Sequence, residues 1–105
     1  MEKTLLELLI GNADREELLC YCRMRLKPLA QADAKQKTEY VKTLQFYIEN
    51  NNNLLAASQK MYIHRNTLVN RMKKIKSLLE CDISECETRN EFYLIFKIME
   101  YYGEI

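Results

Sequence analysis

Apolar residues recur every three or four positions along almost the whole chain, and nowhere alternate one by one over the length of a strand. This spacing predicts an all-α helical bundle. Leu5, Leu6, Leu8, Leu9 and Ile10 crowd a first helix over Lys3–Ile10, making it apolar nearly all round. A helix of that kind is buried on several sides or meets a partner. Gly11 follows as a C′ residue. Asp14-Arg15-Glu16-Glu17 reads as a capping box that opens a second helix with the stripe Leu18, Leu19, Cys22 and Leu26. Pro28 is predicted to end it, leaving LKPLAQADAK as a connector with room for one short turn of helix. A third helix is expected over Lys37–Asn50, with Tyr40, Val41, Leu44, Tyr47 and Ile48 on its buried face. Asn50 to Asn53 form a linker, because Asn tolerates the left-handed region that stops one helix and caps the next. After two further helices and a loop over Glu80–Ile83, Ser84-Glu85-Cys86-Glu87 reads as another capping box. It opens a last helix with Phe92, Ile95, Phe96 and Met99 on a core face.

The stretch Asn53–Leu79 organises the rest. A short helix from Leu54 to Met61 carries the small residues Ala56, Ala57 and Ser58, which let another helix approach closely. Met61 and Ile63 bracket a tight turn, and a longer helix follows from Arg65. Small residue, apolar residue, short turn and apolar residue make the helix-turn-helix pattern. In the longer helix Leu68, Met72, Ile75 and Leu79 share the inner face at a step of about 100° per residue. Asn66, Asn70, Lys73 and Ser77 fall opposite them, flanked by Thr67, Val69 and Lys74. Arg71 projects to the border of the apolar face, where an ion pair to another helix or a reach to phosphate both fit; the ion pair is favoured. Thr67 lies in the first turn, where its hydroxyl can satisfy an orphan N–H or meet a phosphate. His64 is placed to cap the helix or to meet a phosphate.

Charge sharpens the picture. The chain is nearly neutral, with a formal net charge of +1. Yet Lys60, Arg65, Arg71, Lys73, Lys74 and Lys76 stand in a stretch with no acid between Asn50 and Ser77. Asn can bond an adenine edge through two hydrogen bonds, and Lys reaches guanine acceptors or phosphate. The outer face therefore has the chemistry of double-stranded DNA recognition. The bland alternative is a solvated basic helix face.

The string HRNTLVNRMKKI, preceded by LQFYIENNNNLLAASQKMYI, resembles the C-terminal helix-turn-helix domain of PucR-type transcriptional regulators. The likeness rests on Thr43-Leu44, Tyr47 to Asn50, Ala56-Ala57, Met61 to Ile63, His64 to Leu68, Arg71-Met72 and Ile75. Ser58 stands where that family commonly has a third Ala, and an aromatic such as Tyr62 in the turn is usual there. A weaker likeness, through the R-x-T-L step, is to the DNA-binding end of Fis-type proteins. The resemblance implies a C-terminal piece of a longer regulator whose upstream part binds any effector, so that Met1 need not be the native start. It also implies action as a dimer or larger assembly. Separately, helix one carries more apolar surface than one contact face needs, which places Leu5, Leu6 or Leu9 at or near a dimer interface.

Other functions find little support. The sole histidine, His64, has no partner in the sequence that would make it a catalytic base, and no Gly-rich phosphate loop exists. Cys20, Cys22, Cys81 and Cys86 are spaced C-x-C and C-x4-C, which suits free thiols better than zinc or disulfides. No cofactor or metal is expected. No apolar run approaches the roughly 20 residues of a membrane span, and the N-terminus lacks a signal-peptide layout, so the chain is expected in the cytoplasm. At 105 residues it should form a single helical domain. Residues 1–50 would supply supporting helices, 53–79 the helix-turn-helix and 84–102 a packing helix. The expected DNA-binding residues are His64, Arg65, Asn66, Thr67, Asn70, Lys73, Lys74 and Ser77, with Arg71 structural or on phosphate. The alternative is a helical protein-interaction module, docking through helix one and Tyr101-Tyr102.

Overall fold

The computed structural model describes residues 3–105; Met1 and Glu2, on which the native start and part of the signal-peptide reading bear, lie outside them. Six helices follow in order: α1 Leu5–Gly11, α2 Arg15–Gln36, α3 Tyr40–Glu49, α4 Leu54–Met61, α5 Arg65–Leu79 and α6 Cys86–Tyr101. No strand occurs among the described residues. The core is one cluster in which Leu19, Cys22, Leu26 and Leu29 of α2 meet Leu44 and Ile48 of α3. Ile75 and Leu79 of α5, Ile83, and Phe92, Ile95, Phe96 and Met99 of α6 complete it. The expected aromatic stripe of the last helix is therefore core.

α1, α2 and α4 begin at residues whose own side chains cap them. Thr4 caps α1, Asp14 caps α2 through Glu17 N–H at 3.1 Å, and Asn53 caps α4 through Ala56 N–H at 3.0 Å. The Asn linker works as its chemistry requires: Asn51 and Asn52 are left-handed, with φ of 57° and 58°. At α6 the expected box does not form. The Ser84 hydroxyl bonds the Asp82 carboxylate at 2.6 Å instead, and the cap falls to Glu85, which makes no side-chain bond.

Three boundaries depart from expectation. Pro28 does not end α2, which continues to Gln36. Interior Pro costs about 3 kcal/mol. Burial of Leu26 and Leu29 on either side offsets this, because each fully buried leucine contributes about 1.5–3 kcal/mol. The supposed connector is thus helix, and α2 packs against α3, α5 and α6. Second, α3 starts at Tyr40 because Lys37 ends α2 in the left-handed conformation, leaving residues 37–39 as the turn. Asp33, inside α2, caps α3 across that turn, accepting from Tyr40 N–H at 2.7 Å and Val41 N–H at 3.1 Å. Third, Gly11 is the last helical residue of α1 and not a left-handed C′ residue. Its missing side chain leaves room for Tyr101, whose hydroxyl would sit 3.4 Å from a Cβ at that position.

Candidate nucleic-acid interface

The helix-turn-helix comprises α4, the turn Tyr62–Ile63, the cap His64 and α5. Ala57 and Ser58 are the buried residues of α4, as close helix packing requires. The turn closes through left-handed Tyr62 (φ 56°), with Ile63 N–H bonding Ser58 C=O at 3.0 Å. α5 starts at His64, whose Nδ1 accepts from Asn66 N–H at 3.0 Å. An accepting Nδ1 carries no hydrogen, so the ring hydrogen sits on Nε2 and is free to donate outward.

Burial around α5 follows the expected step. Leu68, Ile75 and Leu79 are buried and Met72 is half-buried. His64, Arg65, Asn66, Thr67, Asn70, Lys73, Lys74 and Ser77 are all exposed. Among the described residues none of them forms an ion pair. Apart from the His64 cap, none of their side chains is engaged in a hydrogen bond among the described residues. Thr67 is not the cap that one reading allowed; His64 holds that role, and the Thr67 hydroxyl is left outward.

Arg71 is half-buried, and its partner differs from the ion pair expected. Its Nη1 donates to the Thr43 hydroxyl at 3.4 Å, and that hydroxyl donates to Glu39 C=O at 2.6 Å. Thr43 is wholly buried, and the sequence marked it only as part of the family likeness, not as a partner for Arg71. Its hydroxyl gives Arg71 an uncharged acceptor, so α5 is tied to α3 without neutralising the guanidinium.

The C-terminal end of α5 is electrostatically different. The Ser84 hydroxyl and N–H, with Lys76 adding to them, hold the Asp82 carboxyl below its ordinary range. Asp82 therefore stays charged and offsets Lys76. Among the described residues neither Lys73 nor Lys74 forms an ion pair, although Lys73 lines the same cleft as Asp82. The free positive charge lies on the N-terminal and middle turns of the outer face.

Sequence reasoning missed two contacts that brace this unit. Arg89 of α6 donates to Asn51 Oδ1 at 2.9 Å, and Asn52 Nδ2 donates to Ile83 C=O at 3.2 Å. Both join residues more than thirty positions apart, and no local pattern announces them.

The profile of the PucR C-terminal helix-turn-helix domain matches residues 40–98, more than half of the chain. The chain belongs to this family. It is 35% identical over 86 residues to the proline-responsive transcriptional activator PutR of Bacillus subtilis, covering 82% of this chain and 21% of that protein. To the DNA-binding transcriptional activator AdeR of the same organism it is 34% identical over 73 residues, covering 70% of this chain and 17% of that protein. The chain thus spans about a fifth of the length of these relatives. No solved structure matches it significantly. The family range starts at the first residue of α3 and ends within α6, so α1 and α2 fall outside it.

Proposed function

We propose that this chain is the DNA-binding module of a longer cytoplasmic transcriptional regulator, acting as a homodimer on double-stranded DNA. α5 enters the major groove, and its N-terminal half reads base edges while lysines and arginines neutralise phosphates. The observation that carries this reading is the outer face of α5: exposed, free of acids, rich in amides and cations, and presented by a helix-turn-helix of the PucR type. The mechanism is recognition without chemistry on the DNA, needing no cofactor. Any effector would be bound by an upstream domain.

Positions around α5 divide the labour. Asn70 points about 180° from the centre of the apolar face, whereas Lys74 lies about 50° off that outward direction. The centre faces the groove floor and the edge faces a backbone wall. Loss of a paired amide contact to a base costs about 1–3 kcal/mol of discrimination. Lys74 contributes charge, which every sequence's phosphates meet equally. Titration against a duplex selected from a random pool, and against its scrambled counterpart over a range of salt, separates the two roles. Asn70→Ala should weaken only selected-site binding and leave the salt slope unchanged. Lys74→Ala should weaken both alike and reduce the slope by about one. Equal loss on both duplexes for Asn70→Ala would mean that α5 is turned differently in the groove. No effect from either would make the basic face a solvated surface and favour a protein-interaction module.

A further inference from the structure

Tyr62 is the most exposed of the large apolar side chains, at 95%, with Leu5 next at 73%. Its hydroxyl has no hydrogen-bond partner among the described residues, and the ring lies outside the core. Its backbone is left-handed, with φ 56° and ψ 41°, a conformation that Gly adopts without penalty. Lys37 and Glu80 end α2 and α5 in the same conformation, so the conformation alone calls for no special explanation. Those two side chains are charged and well solvated. A phenol ring held in water at a position that Gly would fill more comfortably does call for one.

Its place supplies the explanation. Tyr62 lies two residues before His64, so its Cα is within about 7 Å of the cap of α5. That end of α5 is the one a helix-turn-helix carries into the groove. Exposed Lys60 and Arg65 flank it, with no acid in the stretch from Asn50 to Ser77. A polyanion is therefore the partner that the surroundings favour. A phenol suits the wall of the groove: its O–H bonds phosphate, and its flat apolar face suits a sugar.

We propose that Tyr62 contacts the sugar–phosphate wall at the mouth of the groove, its hydroxyl donating to a phosphate oxygen and its ring lying on deoxyribose. This rests on the DNA-binding reading above. The contact is blind to sequence and adds affinity without adding charge.

Two variants of the 105-residue chain test it, titrated over a range of salt against a mixed-sequence duplex and a duplex selected from a random pool. Tyr62→Phe removes only the hydroxyl. It should weaken binding to both duplexes alike by about 10- to 100-fold, the range of one hydrogen bond to a charged group. The salt slope should not change, because no phosphate-neutralising charge is lost. Tyr62→Gly removes the ring as well and should weaken binding further, while the thermal midpoint stays level or rises as the left-handed residue relaxes. Weaker binding by an equally stable or more stable protein is the expected signature. A Tyr62→Gly variant that binds as the wild type would overturn the proposal. So would a Tyr62→Phe loss confined to the selected duplex, which would make Tyr62 a base reader. Should Tyr62→Gly prove unstable, Tyr62→Phe still decides, because it keeps ring and backbone. Failure of the wild type to bind either duplex would sink the DNA reading and this proposal together. A binding wild type with indifferent variants would sink Tyr62 alone.

Discussion

Replacement of Asp33 by Ala should destabilise the bundle far more than its place on the second half of α2 suggests. The carboxylate accepts three hydrogen bonds across the α2–α3 turn: the Thr38 hydroxyl at 2.6 Å, Tyr40 N–H at 2.7 Å and Val41 N–H at 3.1 Å. The residue at the start of α3, Glu39, makes no side-chain cap of its own. Asp33 is therefore the side chain that satisfies the first-turn donors of α3. Loss of a helix cap costs about 0.5–2 kcal/mol. The Thr38 bond adds about 0.5–1.5 kcal/mol. The sum is about 1–3.5 kcal/mol, which lowers the melting midpoint of a domain this size by roughly 5–16 °C. Asp33→Asn should fall between wild type and Ala: one oxygen remains to accept from Thr38 and Tyr40, but its amide would face Val41 N–H donor to donor. Thermal unfolding followed by circular dichroism measures all three proteins. A midpoint for Asp33→Ala matching wild type would mean that water replaces the cap at no cost, and the argument would fail.

Two further outcomes are expected. Glu91 accepts from the Tyr21 hydroxyl and from Arg25 Nε, and these bonds, Tyr21 foremost, outweigh burial and hold its carboxyl below the ordinary range. A lowered folded pKa contributes stability above the unfolded value of about 4.3, lost as pH falls through the folded value; Glu91→Gln should flatten the acid limb of a stability–pH profile, and an unchanged limb would refute it. On α1, Leu5, Leu8 and Leu9 remain exposed while Leu6 is half-buried, so a dimer seam there predicts that Leu9→Glu shifts sedimentation toward monomer; a wild type that is already monomeric at high concentration would end that idea.

How much was legible follows from the range of the forces involved. Local chemistry was readable: Asn53 as a cap, Asn51 and Asn52 as left-handed residues, and α4 and α5 with the boundaries that their periodicity implied. The α5 face was readable too, because a fixed angular step converts spacing into direction. Illegible features depended on residues distant in the chain. Pro28 looks like a terminator until Leu26 and Leu29 are seen to be buried beside it. Asp33 looks like connector filler until α3 turns back onto α2. Arg71 looks like half of an ion pair until the buried Thr43 hydroxyl is seen to reach it. Ser84 carries a capping signature, but Asp82, two residues before it, takes its hydroxyl first.

The way the acids are used explains how a nearly neutral chain presents a cationic face. Glu104 pairs with Arg23, Glu91 with Arg25, Glu39 with Lys42 and Glu100 with Lys97, all away from α5. Asp14 and Asp33 are occupied at helix starts, where backbone N–H groups hold them. Of the cations on α5, Lys76 has Asp82 nearby and Arg71 has a neutral hydroxyl, while among the described residues Arg65, Lys73 and Lys74 form no ion pair. Exposed pairs add little stability, about 0–1 kcal/mol each. Their effect here is on the field: each acid held elsewhere is one that does not cancel a lysine on α5. Such a field attracts a polyanion and weakens with salt, since screening acts within about 10 Å at 0.1 M. Net charge conceals the feature. The separation of charge along the fold, set by which acids find partners and where, is what leaves α5 with a cationic outer face.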